Sequence, residues 1–314
     1  MAMAPNRTFV NRSQVEVQIV RYSFFAAALL RRCPRLVGRI HSRYARILNI
    51  QTPDGQLLTL QGPGALQAPC AASLAEEIET CAPHLAPGDL VAQAYDAPVA
   101  MRLVTANATA WDGRLRPLAN LTTAANLRDT ADQLARWLTQ HTRAQGIAPV
   151  LAALNGVPVR SPLHRRFCNA LTPMLAGSNV SADSVEDMAA QVIGLGEGLT
   201  PSGDDLLVGF LAVLHLTGHL PTRLHHPAWL DSLVANTTDL SAAFLRAALK
   251  GHFSEPMARL MQALYSSKSC DWQARAADLA GVGHSSGVDA MVGITVANRL
   301  LAAVGTTCQI KSLN

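Results

Sequence analysis

From residue 43 the chain alternates short apolar runs with turn residues. Residues 44–50 and 56–60 are apolar stretches that flank Thr52-Pro53-Asp54-Gly55. Pro53 presets φ for a turn and Gly55 accepts positive φ, so this stretch predicts a β-hairpin. Residues 90–95 and 99–105 predict two more short strands, with Asp112-Gly113 as a turn. The stretch 40–118 therefore reads as a small antiparallel β unit. After Pro117 the period becomes helical. Leu127, Ala131, Leu134, Leu138 and His141 fall on one face, with Thr122 or Thr123 as N-cap and Gly146 as the stop. Further helices are predicted at 161–174, 184–193, 204–216, 232–249, 256–264, 272–279 and 288–304. Strands first and helices afterwards indicate an α+β fold and not alternating βαβ units. The predicted organisation is an N-terminal extension at residues 1–32, a β-rich unit at 33–118 and a helical domain at 119–314. The extension has no clear period and no caps, so it reads as a flexible arm or as the product of a start codon placed too far upstream.

The helices at 204–216 and 288–304 are apolar nearly all round, which is the pattern of helices buried in mid-domain. The segments that open them resemble one another. Ser202–Gly209 overlays Ser286–Gly293 as SGxDxxVG, at a constant offset of 84 residues. The match fits an internal duplication. It equally fits a shared way of starting a buried helix: Ser and Gly at the uncapped N–H groups, and Asp in the first turn where the dipole favours negative charge. In each copy a Gly follows the Asp by four residues, on the same face one turn later. Gly209 and Gly293 are thus expected to let the two helices cross closely, with their N-termini facing one cleft.

Composition narrows the class. Of 314 residues 49% are hydrophobic and 15% charged, against roughly 25% charged in an average soluble protein. That excludes a disordered chain. The length fits one large domain or two ordinary ones. Mean hydropathy is +0.16, which suggests surface buried against partners. The net charge of +4 invites a nucleic-acid or membrane-surface reading. Its distribution removes most of that invitation. Of the 26 basic and 22 acidic residues, residues 1–32 hold five and one, so the remainder is balanced at 21 of each. A nucleic-acid binder would have only those first residues in its favour, without aromatic–basic interleaving or a helix-turn-helix signal.

No apolar run reaches the ~18 residues of a membrane span. The apolar stretch 24–30 is followed by Arg31 and Arg32 and not by a small-residue cleavage site, so a signal peptide fits poorly. The six cysteines, Cys33, Cys70, Cys81, Cys168, Cys270 and Cys308, form no CxxC pair or zinc spacing and read as reduced thiols of a cytosolic protein.

The loop before the first buried helix carries Gly194, Gly196, Gly198 and Gly203 with Thr200 and Ser202. Glycines let backbone approach a ligand, and hydroxyls with a helix N-terminus make an anion cradle. It is not a Walker A loop, because no Lys-Ser/Thr pair closes it, and no βαβ unit surrounds it as a dinucleotide fingerprint requires. Asp204 and Asp205 have three readings: capping, hydrogen bonding to an amide or ureido N–H, and Mg²⁺ ligation beside a phosphate. No metal site beyond that option is indicated. The second loop holds Gly283, His284, Ser285 and Ser286 ahead of Asp289. His284 can meet an anion, act as general acid/base, or only organise the turn. Arg246 sits among Phe244, Leu245, Ala247 and Ala248, so it needs an anionic partner: a ligand or, more simply, a core Asp. His215 and His219, one turn apart, suit a metal less well than a helix C-terminus, since no acidic ligand accompanies them.

Taken together, GLGEGLTPSGDDLLVG, SAAFLRAALKGHFSEP and GHSSGVDAMVG resemble successive signatures of the bacterial AllH-type family. RLVGRIHSRYARILNIQTPDGQLLTL is also similar to that family's opening stretch, so the resemblance covers roughly residues 36–305. It implies one subunit of oxamate carbamoyltransferase, the terminal step of anaerobic allantoin degradation in purine catabolism. FdrA-like and AllG-like subunits would be its partners in the cytoplasm. The reaction implied is oxalurate plus phosphate giving oxamate plus carbamoyl phosphate. In that setting the Gly-rich helix starts would hold the oxyanions. Asp205 or Asp289 would accept from amide N–H groups, and oriented dipoles would stabilise the leaving phosphate. Asp205 and His284 are the expected catalytic residues. Two other readings stay open: a non-catalytic subunit that binds a nucleotide or anion, and a relative acting on another amide or ureido acid.

Overall fold

The computed structural model describes residues 14–94, 99–118, 123–142, 145–177, 181–266 and 271–305. Tyr95, Thr122, Cys270 and Cys308 lie outside the described residues, as do residues 1–13. The chain divides after Asp112 into two compact units.

The first unit contains β1 (Val15–Ser23), α1 (Phe24–Arg32), β2 (Leu36–Arg43), β3 (Ile47–Gln51), β4 (Leu57–Gln61), β5 (Ala71–Leu74), α2 (Ile78–Cys81), β6 (Leu90–Ala92), β7 (Met101–Val104) and β8 (Thr109–Trp111). The hairpin forms as the turn residues require. Gln51 pairs with Leu57 across the β3–β4 turn, and Gly55 takes φ +77°. The unit is not purely antiparallel, however. β4–β5, β6–β7, β1–β7 and β1–β8 are parallel pairs. The strands run β5-β4-β3-β2-β6-β7-β1-β8, and β1 also pairs antiparallel with β5 through Ile19 and Leu74. That pairing closes a ring of seven strands, which leaves no long open edge to template aggregation. Ile19, Ile40, Leu48, Ile50, Leu58, Leu60 and Leu74 fill its core.

Residues 15–32 therefore belong to the folded unit, which corrects the expectation of an arm. β1 is the strand that closes the ring, and the Ser23 hydroxyl caps α1 by accepting from the Ala26 N–H at 2.9 Å. Arg31 and Arg32 occupy the last turn of α1, where they complement the helix dipole. Arg32 pairs with Asp54, and Arg21 lies 6.0 Å from the Trp111 ring. Three of the five arginines among residues 1–32 thus belong to the folded unit.

The second unit is helical: α3 (Ala124–His141), α4 (Pro149–Ala153), α5 (Pro162–Ala176), α6 (Ala182–Val192), α7 (Ser202–Leu216), α8 (Pro227–Val234), α9 (Asp239–Leu249), α10 (Glu255–Leu264), α11 (Trp272–Ala280) and α12 (Ser286–Ala303). Thr123 is the N-cap of α3. The single helix expected at 232–249 is two helices. Thr238 accepts from the Ser241 N–H at 3.1 Å and so starts α9 afresh, because a capping hydroxyl competes with helix continuation. α3 ends at His141 and not at Gly146, which has another task described below. Helices α7 and α12 form the centre of this unit, buried on nearly every side.

Candidate functional site

The approach of α7 to α12 is set by glycine. A Cβ on Gly209 would fall on the carbonyl oxygen of Ala290, and one on Gly293 would fall on that of Leu206. The two contacts are reciprocal, so the repeat acts as a matched pair at the crossing. The first glycine of each copy has a matched task too. A Cβ on Gly203 would strike the Val192 carbonyl at the end of α6, and one on Gly287 the Leu279 carbonyl in α11. Both copies thus join a helix end, a loop and a buried helix in the same way.

The crossing brings the two loops together. The Thr200 and Ser286 hydroxyls lie 2.8 Å apart, so the N-terminal ends of α7 and α12 converge. Asp205 and Asp289, the aspartates of the repeat, meet there. Each has one carboxyl oxygen, Oδ2, buried without a partner among the described residues. Asp205 is 8% exposed and Asp289 fully buried. Burial pushes the Asp205 carboxyl up to about 8; the charge of Asp289 adds to this, while the Ser286 and Thr200 hydroxyls beside it oppose it. Burial raises Asp289 as well, opposed by the Ile147 N–H, the Ser202 and Ser285 hydroxyls and the charge of His164. The serine of each copy therefore serves the aspartate of the other. Two buried carboxyl oxygens without donors are unusual, since buried polar groups almost always find a partner.

A raised acid makes stability depend on pH. A neutral Asp205 is favoured below its folded value of about 8, and its stabilising contribution is complete below the ordinary carboxyl value near 4. That contribution is lost as pH rises through the folded value, at up to about 1.4 kcal/mol per pH unit between those limits. Urea unfolding between pH 5 and 8 is expected to show this fall, with Asp204 and Asp289 adding in the same sense. Asp205→Asn should flatten it. An unchanged slope in the variant would show that Asp205 ionises freely.

The other expected site residues divide into two groups. Asp204 does not face the crossing with Asp205. Its Oδ1 accepts from the Gly194 N–H at 2.7 Å and its Oδ2 from the Thr237 hydroxyl. Both oxygens take a hydrogen bond from within the protein, so Asp204 fastens the Gly-rich loop to the start of α9. Among the described residues no group of three or more His, Cys, Asp or Glu side chains gathers in metal-binding geometry. Gly194 and Gly196 are needed by the protein's own backbone, against the Asn236 carbonyl and the Ser202 N–H. Gly198 has open space on its side-chain face, beside the exposed Leu199. Arg246 pairs with Asp231 of α8 at 3.3 Å, an exposed acid and not a core one. His284 and Gly283 are exposed in the turn ahead of α12, with Ser285 and Ser286 half-buried after them. His215 packs against Phe253, with ring centres 6.4 Å apart.

Sequence reasoning missed a third contributor. The Ile147 N–H donates to Asp289 Oδ1 at 2.7 Å across 142 positions of sequence. Gly146 must lack a side chain, because a Cβ there would fall on the same oxygen. His164 on α5 lies 3.2 Å from the Gly146 carbonyl. Gly146 looked like a helix stop, and nothing local in the sequence ties it to a residue so distant.

Two family models match the chain. The AllH family N-terminal domain matches residues 18–116, and oxamate carbamoyltransferase subunit AllH matches residues 192–298. The chain belongs to the AllH family. The AllH match contains both SGxDxxVG copies and the whole α7–α12 crossing, while the N-terminal match begins within β1 and so includes most of that strand. No solved structure matches the chain. No helix among the described residues is long and apolar enough to cross a membrane. As an AllH-family chain it is a subunit by description, in keeping with an apolar composition.

Proposed function

We propose that this chain contributes the carbamoyl-binding site of an oxamate carbamoyltransferase, working in the bacterial cytoplasm with FdrA-like and AllG-like subunits in allantoin catabolism. The observation that carries the reading is the pair of buried, donorless carboxyl oxygens at the α7–α12 crossing, framed by hydroxyls and helix N-termini. A carbamoyl group presents an NH₂ and a carbonyl side by side. Asp289 accepts from the NH₂; Asp205, neutral, donates to an acceptor. Thr200, Ser202, Ser285, Ser286 and the converging helix N-termini hold the oxyanions. His284 stands exposed ahead of α12, open to an incoming anion.

In the reaction a phosphate oxygen attacks the ureido carbonyl of oxalurate and forms the new C–O bond. The C–N bond to the oxamate nitrogen breaks. That nitrogen takes the Asp205 proton, and the phosphate hydroxyl proton returns to Asp205, so the charge balances. If the reaction uses Mg²⁺, the carboxylates of Asp205 and Asp289 would hold it, with Asp205 then ionised, and it would supply neutralisation of phosphate charge.

The test is reconstitution. Carbamoyl phosphate formation from oxalurate and phosphate is expected only when this chain is present with its two partners. The complex should bind carbamoyl phosphate in preference to ATP. Full turnover without the chain, or tight ATP binding with no carbamoyl phosphate binding, would replace this reading with a regulatory one.

A further inference from the structure

A second candidate site lies on α12 well away from the crossing. A cavity of about 300 Å³ opens between α3, α4 and the C-terminal half of α12. Asp132, Arg136, Gln140, Leu151, Asn155 and Arg299 are among its lining residues. Arg299 is ten positions beyond Asp289, which is about 15 Å along a helix. The volume is at the small end of ligand pockets, enough for a compact anion and not for a nucleotide.

The charges in this cavity do not balance. It holds two guanidinium groups and one carboxyl, Asp132. Neither arginine forms an ion pair with a described residue. Among the described residues the one hydrogen-bond partner of Arg299 is Asn155 Oδ1, at 3.5 Å, the limit of a hydrogen bond. Its guanidinium is partly withdrawn from water: burial pulls its pKa down, and Asp132 opposes this. A guanidinium in that position is expected to have a planar anion to chelate, because its five donors match two oxygens at once. Leu151 and Ala152 add an apolar wall beside those donors.

We propose that the Arg136–Arg299 cavity binds a small phosphate or carboxylate ligand, at a site separate from the α7–α12 crossing. The proposal does not depend on the carbamoyltransferase reading. Phosphate and carboxylate share the chelating chemistry, so the experiment carries an arm for each. Isothermal titration of the full chain is made with inorganic phosphate and with malonate, at constant ionic strength. Three proteins are compared: wild type, Arg136→Gln/Arg299→Gln, and Asp205→Asn/Asp289→Asn. The double arginine variant is expected to bind at least about tenfold more weakly with one site fewer. The aspartate variant should retain that site. The arm with the tighter wild-type binding identifies the ligand class. Should the double variant fail to fold, Arg136→Gln alone carries the test, since Arg136 is exposed. Unchanged affinity and stoichiometry in the arginine variants would overturn the proposal. So would the absence of wild-type binding to either anion up to about 10 mM, a concentration that already corresponds to only weak association.

Discussion

Replacing Gly209 or Gly293 by valine is expected to destabilise the helical unit by more than about 4 kcal/mol. The new Cβ would meet a backbone carbonyl, of Ala290 in one case and of Leu206 in the other, and backbone cannot rotate away as a side chain can. The helices would have to separate along their whole shared length. For a unit of this size a loss of about 4 kcal/mol lowers the melting temperature by roughly 10 °C. It also consumes much of the 5–15 kcal/mol that ordinarily holds a domain folded. Gly281→Ala is the control from the same region. Gly281 has φ −74°, and the nearest atom to its Cβ position is the Asp278 carbonyl at 3.5 Å. That variant should melt within a few degrees of wild type. Equal tolerance at Gly209 and Gly281 would mean that the α7–α12 packing is looser than described.

Asp205→Asn and Asp289→Asn are expected to lower kcat/KM of the assembled transferase by about 10²–10³-fold each, with assembly intact. Each change replaces a buried carboxyl by a near-isostere, so the packing survives; at Asp289 an acceptor becomes a donor, and at Asp205 a carboxyl able to pass on a proton becomes an amide that cannot. On the proposed reading both aspartates act on one bound group, so the two substitutions should not be additive. The pH–rate profile separates their roles: loss of the rise or fall assigned to Asp205 in Asp205→Asn, with retention in Asp289→Asn, would identify Asp205 as the proton donor. Wild-type rates in both variants would remove the crossing from the chemistry.

Much of the crossing is legible in the sequence. Ser202, Asp205 and Gly209 repeat at Ser286, Asp289 and Gly293 because both helices solve one problem: entering a core and passing closely over a neighbour. The hairpin at 47–61 was legible because Pro53, Asp54 and Gly55 each have a local conformational reason to be there. What escaped was non-local. β1 holds Val15, Val17 and Ile19 in alternation, a strand signal too short to give the first 32 residues a clear period. Its place depends on Ile19 meeting Leu74, a pairing no local pattern encodes. Asp204 and Asp205 are adjacent and chemically identical, and only the direction in which a helix turn points each one separates the hydrogen-bonded fastener from the carboxyl with an unpartnered oxygen. Gly146 and Ile147 act on Asp289 from another part of the chain.

The central claim is that the two SGxDxxVG copies build one carbamoyl-binding site between α7 and α12. It is tested most directly by a crystal structure of the assembled complex with carbamoyl phosphate bound. The account predicts the carbamoyl NH₂ and carbonyl on Asp289 and Asp205, with the phosphate on the hydroxyls of Thr200, Ser202 and Ser286. A ligand seated elsewhere in the complex, with the Oδ2 atoms of both aspartates still without a partner, would contradict it.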